Sequence, residues 1–152
     1  MKSVSPKKNL GQHFLNDLNI AQKIADLLQN QNCDKVLEIG PGMGVLTQFL
    51  IPQIKNLKLV EIDTESVAYL NQKYPDKQKD ILREDFLKMD LSKIFDGQAF
   101  AIIGNFPYNI SSQIVFKVLE ERHQIPLFGG MFQKEVAERM CAPPGNKTYG
   151  IL

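Results

Sequence analysis

Five short apolar runs recur along this chain with helix-period segments between most of them, and that alternation constrains the fold more than any other feature. The runs are KVLEIG (35–40), LKLVEI (57–62), DILRE (80–84), AFAIIG (99–104) and PLFGGMF (126–132). The segment DLNIAQKIADLLQ places Ala21, Ile24, Ala25 and Leu28 on one helical face, with Asn16 or Asp17 as N-cap. TESVAYLNQKY places Val67, Leu70 and Tyr74 at helical spacing after Asp63 or Thr64. SSQIVFKVLEER does the same with Ile114, Val115, Val118 and Leu119, capped by Ser111 or Ser112. Strands that alternate with helices pair in parallel and are covered on both faces. The expected architecture is a doubly wound, mainly parallel α/β sheet forming one domain over 1–152. A chain of this length buries roughly 70% of the surface it exposes when unfolded, enough for a true core.

Bulk properties exclude several classes. No apolar run approaches the roughly 20 residues of a membrane-spanning helix. The first fifteen residues, MKSVSPKKNLGQHFL, lack the apolar centre of a signal peptide, which reads against secretion and for a cytoplasmic location. Cys33 and Cys141 have no metal-ligand or redox spacing, so they read as reduced thiols, and no metal site is expected. The net charge of +1 says nothing for or against nucleic acid. Lys2, Lys7 and Lys8 do precede the first acidic residue, Asp17, so 1–16 begins as a basic arm.

In a doubly wound sheet, ligands bind beyond the carboxyl ends of the strands. Those ends carry chemistry here. Gly40-Pro41-Gly42-Met43-Gly44 follows the first strand, Glu61 and Asp63 stand at the second, Asp85 follows the third, and Asn105 to Tyr108 follow the fourth. The glycine spacing, G-x-G-x-G, differs from the dinucleotide fingerprint and by itself fits a plain tight turn as well as a ligand cradle. Glu38, in a strand covered on both faces, needs partners, and the expected donors are the backbone N–H groups of the glycine loop. Glu61, about twenty residues on, stands where an acidic side chain takes a ribose diol. Asp63 reads as a helix cap. Asp85 is placed to accept an adenine's exocyclic amine, with Phe86 or a neighbour against the ring. The four ends together describe a pocket for an adenosine-containing cofactor, and both NAD and S-adenosylmethionine qualify.

The stretch GNFPYN (104–109) separates them. The side-chain oxygen of Asn105 and the carbonyl of Phe106 offer two acceptors for one exocyclic NH2, turning the nitrogen lone pair toward an electrophile. Pro107 stiffens the turn, and Tyr108 offers a ring on which an unstacked base can lie. Hydride transfer has no use for that arrangement; methylation of a base amine does.

The motifs LGQHFLND, VLEIGPGMGVLT, VEID, EDFL, GNFPYNISS and FQKEVAERM with a following YG, in this order, resemble the rRNA adenine N6-dimethyltransferases, the KsgA/Dim/Erm group. The resemblance runs from Lys8 to Gly150. It implies a Rossmann-like class I S-adenosylmethionine-dependent fold and dimethylation of adenine N6 in small-subunit rRNA, with rRNA or a small-subunit precursor as partner. IGPG resembles the housekeeping small-subunit enzymes, whereas large-subunit resistance methylases more often have Thr at the position of Pro41. The resemblance implies cofactor contacts from His13, Leu15, Gly40, Gly42, Glu61, Asp85 and Asn105, with 1–16 covering the cofactor, and a base grip from Asn105, Phe106, Pro107 and Tyr108. Many relatives carry Asn in place of His13. Lys134 and Arg139 fit a solvated helix face better than an RNA contact.

Family members normally continue past TYGIL with two more strands and a small helical RNA-binding domain. The expectation is therefore a monomeric fragment that ends after the fifth strand, binds cofactor weakly and methylates rRNA poorly. Two other classes remain open on sequence alone. One is a non-catalytic ribosome-assembly module on the same fold, and the other is a nicotinamide-dependent oxidoreductase.

Overall fold

A computed structural model describes residues 4–5 and 16–142. Five strands form one sheet in the order β3-β2-β1-β4-β5, every pair parallel. They are β1 (Lys35–Ile39), β2 (Asn56–Val60), β3 (Ile81–Leu82), β4 (Ala101–Asn105) and β5 (Leu127–Met131). Five helices accompany them: α1 (Leu18–Asp26), α2 (Thr47–Leu50), α3 (Thr64–Lys73), α4 (Ser111–Glu120) and α5 (Lys134–Cys141). All five expected strands form. The third is shorter than DILRE suggests, because Pro75–Asp80 winds into a 3-10 turn that takes Asp80 out of it.

The period-2 alternation of the strands sorts the core into two layers. Val36, Ala101 and Ile103 face one layer with Ala21, Ile24 and Ala25 of α1 and Leu70 of α3. Leu37, Ile39 and Ile102 face the other with Phe86, Phe100 and Ile114. Glu38 shares the face of Val36, and that choice of side decides its partner.

Helix starts follow local chemistry where a short polar side chain is free to cap. Asp17 caps α1, accepting from the N–H groups of Asn19 at 2.9 Å and Ile20 at 3.2 Å. Asp63 caps α3 through Ser66 N–H at 3.1 Å. The expected serine cap of α4 does not form. A turn closed by Ile110 N–H on the Pro107 carbonyl (3.3 Å) makes Ile110 the cap, and Ser111 becomes the first helical residue with its hydroxyl donating back to Tyr108 O. Leu119 is also off the core face, 51% exposed, while Ile114, Val115 and Val118 are buried. Leu119 lies slightly more than a full turn past Val115 and sits on the rim of the apolar stripe.

The strand order reverses between β1 and β4. Open α/β sheets take their ligands in the crevice at such a switch point, beyond the carboxyl ends of the two strands. Gly40 follows β1 directly and Asn105 ends β4, so both residues flank it.

Candidate active site

The glycine loop and the Asn105–Pro107 turn abut across this crevice. Gly40 has φ +67°, a region costly for any side chain, and a Cβ placed on it would stand 3.7 Å from Asn105 O and 3.9 Å from Pro107 Cδ. The Gly40 backbone therefore faces the Asn105 carbonyl and the Pro107 ring with no side chain of its own between them.

Glu61 organises the loop from β2. Its Oε2 accepts the Gly42 N–H at 3.1 Å and its Oε1 the Asp63 N–H at 3.0 Å. The residue is 5% exposed; burial pushes its carboxyl up, and those two donors pull it back. Each oxygen retains a lone pair for a hydroxyl donor. This corrects the expectation for Glu38, which takes no bond from the glycine loop. Glu38 lies on the α2 side of β1, and Thr47 Oγ1 donates to its Oε1 at 2.6 Å. Glu61, in the neighbouring strand, is the carboxylate that reaches the loop.

Burial holds the Glu38 carboxyl up at about 8, against the Thr47 hydrogen bond and with help from the negative charge of Glu61. A folded value above the ordinary 4.5 means that the native state binds the extra proton. The stability from a neutral Glu38 is thus complete below 4.5 and is lost as pH rises toward 8. We expect denaturant titrations of the wild-type chain to show stability falling as pH rises through this window. Glu38→Gln, which is neutral at every pH, flattens the profile. Parallel profiles for the two proteins would refute the assignment.

Asp85 follows β3 by three residues and opens a 3-10 turn, Phe86–Lys88. Its Oδ1 accepts the Leu87 N–H at 3.0 Å, and Oδ2 is the oxygen left to a ligand. Phe86 points into the core and is 4% exposed, so it is not an open wall of the crevice. Ile62, 48% exposed between Glu61 and Asp63, is the apolar surface at this edge. The sequence reading missed it, although an isoleucine set between two acids at a strand end was a readable signal.

On the other side, Asn105, Phe106, Met131, Phe132 and Gln133 line a cleft of about 230 Å³. The Phe106 ring is buried, stacked on Phe132 at 4.6 Å and tilted against Phe128 at 5.1 Å. Its N–H donates to Met131 O at 3.1 Å. With the ring packed and the N–H bonded, the carbonyl is the group of Phe106 left to meet a ligand. Tyr108, two residues on from Phe106, is 40% exposed. Met131 and Gln133 are further residues the sequence reading missed; they reach the cleft only because β5 lies beside β4.

His13 and Leu15 fall outside the described residues. Lys134 pairs with Glu138 at 3.7 Å along α5, in keeping with a solvated face. A larger hollow of about 530 Å³, lined by residues such as Gln29, Asn32 and Gln53, lies at the amino ends of β1 and β2, opposite the crevice. Strand-end logic favours the smaller cleft, at the carboxyl ends of β4 and β5. Among the described residues no group of His, Cys, Asp and Glu is arranged to hold a metal, and no helix is long and apolar enough to cross a membrane.

Sheet order, glycine loop and acidic strand ends together define a Rossmann-like methyltransferase domain. Comparison with known proteins narrows this. The family model for ribosomal RNA adenine dimethylase matches residues 4–152, and the chain belongs to that family. It is 64% identical over its full length to the ribosomal RNA small subunit methyltransferase A of Parabacteroides distasonis, covering 57% of that protein. Among solved structures it resembles a dimethyladenosine transferase from Plasmodium falciparum, with TM-score 0.71 and 33% identity over 91% of this chain and 50% of that one. It also resembles the 23S rRNA methyltransferase ErmE, with TM-score 0.68 and 29% identity over 84% of this chain and 50% of that one. The chain thus spans a little over half the length of the curated relatives it matches.

Proposed function

We propose that this chain is the cofactor-binding and catalytic domain of a cytoplasmic enzyme that dimethylates N6 of adenines in small-subunit rRNA, with S-adenosylmethionine as methyl donor. The observation that carries this reading is the contact across the switch point. A ligand laid on Gly40 and an amine gripped at Asn105 and Phe106 O would be neighbours, because Gly40 lies directly against the Asn105 carbonyl and the Pro107 ring. The 64% identity to a small-subunit methyltransferase supports that substrate over the large subunit.

The residues fit the cofactor. Gly40 and Gly42 leave room for it along the backbone, Glu61 offers lone pairs to a ribose diol, Asp85 Oδ2 can accept an adenine amine, and Ile62 gives an apolar face. His13 and Leu15 complete the set that the family pattern implies. When bound, the cofactor supplies an electrophilic methyl group on a sulfonium. The rest is done by this chain. Asn105 and the Phe106 carbonyl accept the two N6 hydrogens and so aim the nitrogen lone pair. Pro107 fixes their direction, and the Tyr108 ring stacks the extruded base. Carbonyl dipoles aimed at N6 favour the positive charge that grows there, so no base is required before attack and the proton leaves afterwards. A monomethylated amine keeps one N–H for this grip, which allows a second transfer.

Tritiated methyl transfer by the full-length protein to naked rRNA and to unmethylated small-subunit particles, followed by nucleoside analysis, tests the reading. Label in N6,N6-dimethyladenosine from the particles is the expected result. Label confined to large-subunit RNA, or none in any adenine, would overturn it. Calorimetry with S-adenosylmethionine and NAD side by side removes the oxidoreductase alternative if only the first binds.

A further inference from the structure

Lys117 belongs to no motif in the sequence and lies on α4, two turns beyond the Asn105–Tyr108 loop. Its half-buried ammonium donates to Phe86 O and Met89 O, each at 2.6 Å, and sits 5.0 Å over the Phe86 ring. These are backbone groups of the turn that Asp85 opens. Asp85 Oδ1 holds the start of the turn through Leu87 N–H, and Lys117 holds its end. Burial lowers the ammonium's pKa, and the attraction of Asp85, Glu121, Asp90 and Glu120 opposes this. Helix α4 is in turn fastened to the base-gripping loop by Ile110 N–H on Pro107 O and by the Ser111 hydroxyl on Tyr108 O. A continuous set of hydrogen bonds therefore links the place of the target base to the place of the cofactor's adenine.

We propose that Lys117 is a positioning residue that fixes the Asp85 turn and ties it to the Asn105–Tyr108 loop, so that cofactor affinity depends on an ammonium that touches no ligand. The inference rests on the assignment of Asp85 to the cofactor. Without the ammonium, Met89 O loses its donor and Phe86 O keeps only the Met89 N–H at 3.2 Å, so the turn is free to shift, carrying Asp85 Oδ2 with it. A surface lysine chosen for solubility would not place its nitrogen at 2.6 Å from two carbonyls of one turn.

The test is a double-mutant cycle on S-adenosylhomocysteine affinity, measured by calorimetry well below each variant's melting temperature. Lys117→Met keeps the aliphatic stem and removes the charge; it should weaken binding by about tenfold. Asp85→Asn alone should weaken it by a similar factor. The decisive result is the double variant. If Lys117 acts through Asp85, the pair loses little more than either single change, whereas independent effects multiply to about a hundredfold. Lys117→Arg, which restores charge and donors, should recover part of the loss. Multiplicative losses, or wild-type affinity in Lys117→Met, would overturn the proposal. If Lys117→Met does not fold, Lys117→Gln is read in its place by the same criteria. Absence of binding by the wild-type protein would instead sink the cofactor reading, and this inference with it.

Discussion

Asn105→Ala should lower the single-turnover rate of methyl transfer to small-subunit particles by about a hundredfold to a thousandfold. Binding of the particle itself should change little. The size follows from the role. Alanine removes one of two acceptors that hold the N6 hydrogens, so the amine keeps its conjugation with the ring and its lone pair is no longer aimed. The other acceptor, Phe106 O, is backbone and stays where Pro107 and the buried Phe106 ring hold it. Asn105→Asp keeps an acceptor oxygen at the same reach and should retain much more of the rate than alanine does. Stopped-flow transfer of labelled methyl under excess enzyme separates this from product release. The same variant distinguishes an enzyme from an assembly factor. If Asn105→Ala leaves methylation intact, the grip is wrong; if the wild-type protein acts on assembly without methylating, catalysis is not its task.

The sheet and most of its flanking helices were legible because they depend on local regularities. Alternating runs gave the strands, and Asp17 and Asp63 could be read as caps because each bonds to N–H groups two or three residues on. Strand-end logic then brought Gly40, Glu61, Asp85 and Asn105 to one edge without any knowledge of contacts. What escaped depends on neighbours distant in sequence. Glu38 could not be assigned Thr47 from sequence, since the bond requires α2 to settle over the Val36 face of β1. Lys117 reaches carbonyls 28 and 31 residues away, and nothing in its own helix marks it. The α4 cap was misplaced because a turn at Pro107–Ile110 competes with the serine cap and wins. The same turn closes the loop to which we assign the base grip, and there the local cap chemistry gave way.

The pair of glycines in LFGGM was read only as part of a strand, and their unequal surroundings give the second large prediction. Gly104 of β4 and Gly130 of β5 lie opposite each other in register, and the Phe106 ring folds over them. A Cβ on Gly130 would collide with Gly104 O and lie 2.7 Å from Phe106 Cε2, at a φ of +146° that side chains avoid. Overpacking of this kind costs about 1–3 kcal/mol, and unfavourable φ a further 1–3 kcal/mol. Gly130→Ala should therefore lose about 3 kcal/mol or more in denaturant unfolding. Gly129→Ala is the control, because its Cβ would meet only Leu27 Cδ1 at an ordinary 3.6 Å. It should be neutral or slightly stabilising, since alanine also restricts the unfolded chain. The consequence extends to the site. Relief of the clash in Gly130→Ala must part β5 from β4 at Gly104 and shift the Phe106 ring as well, and that ring belongs to the residue whose carbonyl is proposed to hold the base. A variant that folds at low temperature should thus show impaired methyl transfer with cofactor affinity nearly unchanged. Equal stability of the two alanine variants would mean that the strands separate at no cost, and Gly130 would then have no part in seating Phe106.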